Sequence, residues 1–440
     1  MQNANVAVIG AGWAGCAAAV ELARRGARVT LIEAARMPGG RARRVQHHGY
    51  ALDNGQHILL GAYSNTLRMM RLVGMETSRA LLRLPLQLRY PGDSGDMDFI
   101  TPRLPAPFHL LAAVIRAKGL TFADKLSLVR FSTTARWMGW MLDVDCSVSE
   151  LLDRFEQTER AIQLMWRPLC IAALNTPPER ASARVFLKVL GDSVGATRSA
   201  SDMLLPMKDL SALFPDLAIA YLEQHHGQAL IGVRAHTINR EQGGWRIVGD
   251  VLNSLHDRVI VATSAPSAQA LLSSLDPELA ARLNFDYEAI TTCYLQYDPS
   301  FRLPHPFFAL RDEPADARWG QFVFDRGWVD SAQSGLLAVV ISAASVAMGI
   351  DKGVLVPSIT RQLSEIFHDK SLVSPHWTQL ITEKRATFAC TPDLQRPSNK
   401  TSLHHLWLAG DYTEGPYPAT IEGAVRSGLK AAELVLGSLD

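Results

Sequence analysis

In YALDNGQHILLGAY (residues 50–63) an aspartate, a glutamine and a histidine interrupt an otherwise apolar run. Asp53 and His57 are the proton-moving pair in it, a carboxyl and an imidazole four positions apart that suit the roles of acid and orienter. Tyr417, in EGPYPAT near the far end, is a third group with a transferable proton. Two readings stand for the pair. In one, both side chains face a reaction. In the other, Asp53 caps the Asn54–Gly55 turn after a short strand over Tyr50–Asp53, and His57 is a hydrogen-bonded core histidine.

The neighbouring elements bear on the choice. Residues 5–10, NVAVIG, are β-rich and run into GAGWAG (Gly10 to Gly15). A helical stretch to Arg25, a stop at Gly26 and a second strand, RVTLIE, follow. In this strand–turn–helix–strand order Gly10 permits the tight turn and Gly12 lets backbone approach a pyrophosphate. Gly15 lets helix and strand pack closely. The helix start directs amide donors at the phosphates, and Glu33 closes the second strand where a carboxylate binds ribose hydroxyls. The unit binds a dinucleotide. Gly39-Gly40-Arg41 then supplies a second glycine loop and a cation against the same phosphates.

The other end, LWLAGDYTEGPYPATIEGAVRSGLKAAELVL (406–436), reads as a buried strand into Gly410-Asp411, then a helix from about Thr420. An aspartate after a strand suits a flavin's ribityl chain, and the helix's positive end suits charge on a reduced isoalloxazine. Gly423 and Gly428 inside that helix imply close backbone approach.

Together the GxGxxG, Glu33, the GGR and AGDYTEG…IEGAVRSG resemble the FAD-dependent amine oxidase and carotenoid desaturase superfamily. The resemblance implies an α/β fold with a discontinuous Rossmann-like FAD-binding domain, residues 1–75, 205–265 and 385–440. An α+β substrate domain fills 76–204 and 266–384. It also implies that Gly10, Gly12, Gly15, Glu33, Gly40, Arg41, Gly410 and Asp411 bind FAD. Val233 matches the family valine whose backbone meets the adenine. DNGQHILLGAY, MWRPLCIAALNTPPERASARVFL (165–187) and LPAPFHLL (104–111) resemble, within it, the hydroxysqualene dehydroxylases of bacterial hopanoid pathways. What that implies is reduction of hydroxysqualene to squalene by reduced FAD, with release of water. Such chemistry needs a long apolar cavity, one proton donor and little water. Asp53, His57 and Tyr417 are the candidates for donor and orienter. The alternatives are an oxidising carotenoid or phytoene desaturase and a lipid-binding protein that keeps FAD without turnover.

Composition narrows the rest. The chain has 440 residues, 48% hydrophobic, with a net charge of +1 and no reader motif, which excludes a nucleic-acid partner. Five scattered cysteines without a C-x-x-C argue against a disulfide framework or a metal site and fit a cytoplasmic protein. LLAVVISAASVAMGI (336–350) is too short to span a bilayer and reads as a buried strand leading into a loop or helix. Ser147 in SVSE starts a helical region that Pro177-Pro178 interrupts. Residues 101–140 carry six Lys or Arg against one acid, Asp124, with a helix expected after an N-cap at Thr121. Phe122, Leu126, Val129, Trp137 and Trp140 fall at helical spacing on it, implying an interfacial anchor and peripheral attachment to the inner membrane. A core-packing stripe with solvated charges is the competing reading. No second GxGxxG is present, so an external electron donor is expected.

Overall fold

The computed structural model describes residues 4–92 and 97–438. Asn5–Ile9 is apolar on both faces because it lies at the centre of a parallel sheet covered on both sides. Arg28–Glu33 and then Gln228–Ile231 pair on one side of it, Arg258–Val261 and then Leu406–Leu408 on the other, all parallel. Three distant stretches of chain therefore build one sheet. The alanine-rich helix Trp13–Arg24 packs on one face against the last helix, Ile421–Gly437. Their approach requires Gly428, where a Cβ would lie 2.1 Å from the Ala14 carbonyl oxygen. The other face is covered by an antiparallel meander, Ala235–Glu241, Gly244–Gly249 and Asn253–His256. Its Ile238, Trp245 and Ile247 bury against Ala7, Ile9 and Ile32.

A second sheet of five antiparallel strands has the order Phe307–Ala309, Phe322–Asp325, Leu336–Ile341, Tyr287–Gln296, Trp377–Phe388. The apolar run at 336–350 opens with the buried central strand of this sheet, Leu336–Ile341, and reaches a short 3-10 helix at Ala347–Gly349, a strand leading into a loop and helix as expected. Helix Lys352–Phe367 covers one face. On the other, Tyr294, Phe307 and Phe324 meet Phe131, Trp166 and Phe186 from the helical region.

That region follows its sequence signals closely. The Ser147 side chain accepts from the Glu150 amide while the Glu150 carboxylate accepts from the Ser147 amide. A π-helical turn, Ile162–Trp166, precedes Pro168, and helix Arg167–Leu174 stops at Asn175 (φ +47°) just before the two prolines.

The helix after Thr121 is Phe122–Trp137, with the expected N-cap completed as a capping box by Asp124. Its aromatic stripe needs correction. Trp140 lies beyond the helix end with its ring against Gly191 and Gly195, and Val129 is half-buried. Phe122, Leu126 and Trp137 are exposed. Among the described residues, no helix is long and apolar enough to cross a membrane.

Candidate active site

Both motif-bearing ends of the chain open on one cavity of about 730 Å³, which matches the size of cofactor and ligand sites. At one end two glycine loops meet. Gly12 and Gly39 form a parallel bridge, and a Cβ on Gly40 (φ +63°) would stand 3.3 Å from the Gly12 Cα. Gly10 (φ +107°) lies against the Ala262 carbonyl, so none of these glycine positions puts a side chain into the groove. The helix above has neither a side-chain cap nor an acid in its first turn, and Trp13 and Ala14 line the cavity at its start. Backbone donors and an empty cradle are what a pyrophosphate needs. Gly15 does not line it; a Cβ there would strike the Gly10 carbonyl at 1.8 Å, so its role is helix–strand packing.

Glu33, at the end of its strand, accepts from the Ala11 amide on Oε2 and the Ala35 amide on Oε1, each at 2.7 Å. Each oxygen keeps a lone pair for a ribose hydroxyl. The Val233 amide donates to the Glu33 carbonyl at 2.8 Å, which brings Val233 to the same end of the cavity. Arg41 and Asp411, read separately from the sequence, form an ion pair at 2.5 Å, and Arg41 also donates to the Ala386 carbonyl. Burial pulls the Arg41 pKa down, but the charge and hydrogen bond of Asp411 leave it raised, so the cation persists. Gly410 lines the cavity beside Asp411, and Thr420 caps the last helix there by accepting from the Gly423 amide. Cradle, acid, cation and helix start fit FAD.

The proposed catalytic groups divide. Asp53 does not line the cavity. It is 2% exposed, its carboxylate accepts from the Leu210 amide at 2.8 Å, and its carbonyl accepts from the Tyr294 hydroxyl. Burial pushes its pKa up to about 7 against the opposing Arg326 charge. Asp53 is a brace between segments, which is the turn-and-packing reading rather than the reactive one. Tyr417 is also outside the cavity: it is buried at φ +60°, edge-on to Tyr63, with the Arg426 guanidinium over its ring. His57 does line the cavity. Its Nδ1 faces the Gly55 carbonyl at 2.6 Å and burial lowers its pKa, so the ring is neutral with the proton on Nδ1. Nε2 is then an acceptor, which suits His57 to orient a hydroxyl and not to protonate one.

The carboxyl that reaches the cavity beyond the cofactor residues is Glu383, on strand Trp377–Phe388, opposite Ile290. Its Oε2 accepts from the Asn54 Nδ2 at 3.0 Å, and Asn54 also donates to the Arg41 carbonyl. Sequence reasoning passed over it. The only available signal is the alternation of Gln379, Ile381 and Glu383 along one strand face. From the second sheet and the helical region the lining is mainly apolar, with Leu86, Leu88, Leu169, Met203, Phe322 and Phe324 beside Gln87, Asn175 and Ser342.

A nucleotide-binding parallel sheet whose first and last helices both begin at one cavity, polar at that end and mainly apolar elsewhere, defines a flavin-dependent oxidoreductase. The chain belongs to the flavin containing amine oxidoreductase family, which matches residues 13–436, and its cofactor is FAD. It is 30% identical to a hydroxysqualene dehydroxylase of Rhodopseudomonas palustris over 99% of both chains. Identity to one from Zymomonas mobilis is 28%, over 98% of both. A zeta-carotene desaturase of Synechocystis is 24% identical over 98% of this chain and 97% of its own. Among solved structures, cyclohexylamine oxidase from Brevibacterium oxydans superposes with a TM-score of 0.69 at 16% identity, covering 99% of each chain.

Proposed function

We propose that this enzyme reduces hydroxysqualene to squalene with loss of water, in squalene and hopanoid synthesis. The observation that carries the reading is the end-to-end similarity to hydroxysqualene dehydroxylases, higher than that to the desaturase. The mainly apolar lining from the second sheet and the helical region supports it. Gly10, Gly12, Gly15, Glu33, Gly40, Arg41, Val233, Gly410 and Asp411 hold FAD, either by contact or, for Gly15, by packing. Bound there, reduced FAD would supply the hydride for the carbon that loses its hydroxyl.

The protein's own residues do the rest. His57 Nε2 accepts a hydrogen bond from the substrate hydroxyl and orients it. Glu383, held by Asn54, protonates that hydroxyl; the C–O bond breaks and water leaves. The resulting carboxylate faces the allylic cation until a C–H bond forms. Apolar walls keep other water out.

The two-domain division, 1–75 with 205–265 and 385–440 against 76–204 with 266–384, belongs to this proposal. Its support is the three stretches of chain that build the parallel sheet. Electrons reach FAD from an external reductase, and the enzyme works at the inner membrane surface, where its substrate resides. The test is anaerobic. Photoreduce the bound FAD, add hydroxysqualene, and follow flavin absorbance with the extracted lipids. Reoxidation with stoichiometric squalene is expected. A flavin that stays reduced overturns the reading, and turnover of phytoene by the oxidised form would put a desaturase in its place.

A further inference from the structure

Helix Phe108–Arg116 and helix Phe122–Trp137 each expose an apolar stripe. Phe108, Leu111 and Ile115 follow one stripe of the first helix, at 60%, 43% and 63% exposure. Phe122, Leu126 and Trp137 lie along one stripe of the second, at 82%, 48% and 87%. The Lys125 ammonium donates to the Ile115 carbonyl at 2.9 Å, which holds the end of the first helix against the first turns of the second. The buried faces of the pair are already satisfied: Ala113, Val114, Leu128 and Phe131 sit in the core. The exposed stripe is therefore surplus to folding, and large exposed apolar patches mark interaction sites.

Charge identifies what covers it. Arg103, Arg116, Lys118, Lys125, Arg130 and Arg136 lie on or beside these two helices, Arg130 paired with Glu156 from the next helical region. The one acid between residues 101 and 140, Asp124, is buried in its capping box. Large apolar side chains beside cationic ones match a bilayer with anionic headgroups.

The face is also joined to the cavity. Leu86, Gln87 and Leu88, which line the cavity, belong to a hairpin that precedes the first helix and is bonded to the chain just beyond that helix's end. The Thr101 amide and hydroxyl donate to the Leu86 carbonyl, and the Asp98 and Lys118 backbones exchange hydrogen bonds. We infer that these two helices are a docking surface for an anionic bilayer, set so that the leaflet lies against the cavity's apolar wall. The surface itself rests on exposure and charge; its service to catalysis rests on the dehydroxylase reading above.

The experiment is co-sedimentation of the FAD-loaded protein with phosphatidylcholine vesicles, with and without about 30 mol% phosphatidylglycerol. Wild type should bind the anionic vesicles and release as salt rises. I115E/F122E should lower binding at least ~10-fold at any salt, and R116E/K118E should do so chiefly at low salt. Both variants should keep the flavin spectrum and turn over detergent-dispersed hydroxysqualene. Equal binding by wild type and both variants overturns the inference. So does a wild-type dimer in sedimentation velocity that I115E/F122E converts to monomer, because the face would then be a contact between copies. Vesicle binding by an enzyme that never turns over hydroxysqualene supports the surface and overturns the substrate.

Discussion

Two carboxyls, the proposed donor Glu383 and the buried Asp53, each make a prediction. E383Q keeps an acceptor for Asn54 but has no proton to give, so kcat should fall about 10²-fold or more with FAD still bound. Single-turnover kinetics of the photoreduced enzyme measure it, and an unchanged rate removes Glu383 from the chemistry. Asp53 makes a stability prediction. Its folded pKa, raised to about 7 by burial, lies above the ordinary 3.8. The stability it contributes is therefore fully present below pH 3.8 and lost as pH rises through 7. At pH 8 the buried charge costs up to about 4 kcal/mol. D53N retains an oxygen for the Leu210 amide, so it should raise the melting temperature at pH 8, with the gain shrinking toward pH 4. A gain independent of pH would rule out the charge as the cause. Sequence alone left Asp53 open because both readings require a buried carboxylate after a strand; only the position of Leu210, 157 residues away, separates them.

At the scale of elements, the first and last helices are held by a backbone approach that leaves no room for a side chain at Gly428. G428V should cost about 2 kcal/mol or more, as overpacking of a tight contact does. It should also weaken FAD retention, because both helices begin at the cavity. Denaturant titration beside flavin fluorescence checks this; lost stability with unchanged FAD affinity would separate packing from the site. These elements were legible in the sequence because their signals are local: glycine spacing, caps at Thr121 and Ser147, and prolines at 177 and 178. The aromatic stripe was legible in part. Helical periodicity presumes that the helix continues, and it ends at Trp137, so Trp140 turns inward onto Gly191 and Gly195.

At the scale of the molecule, what sequence hides is juxtaposition. Arg41 and Asp411 each carry a readable motif, but nothing local says that they touch. Glu383 carries no motif and becomes visible only when its strand is laid against Asn54. The ion pair joins positions 370 residues apart, and the parallel sheet takes its last strand from Leu406–Leu408. The site therefore cannot exist during most of synthesis. At roughly 5–20 residues per second, tens of seconds pass between the emergence of the first glycine loop and its partner. Yellow colour is then a record of completion: a chain interrupted before Asp411 leaves the ribosome with its nucleotide loop made and nothing to close it.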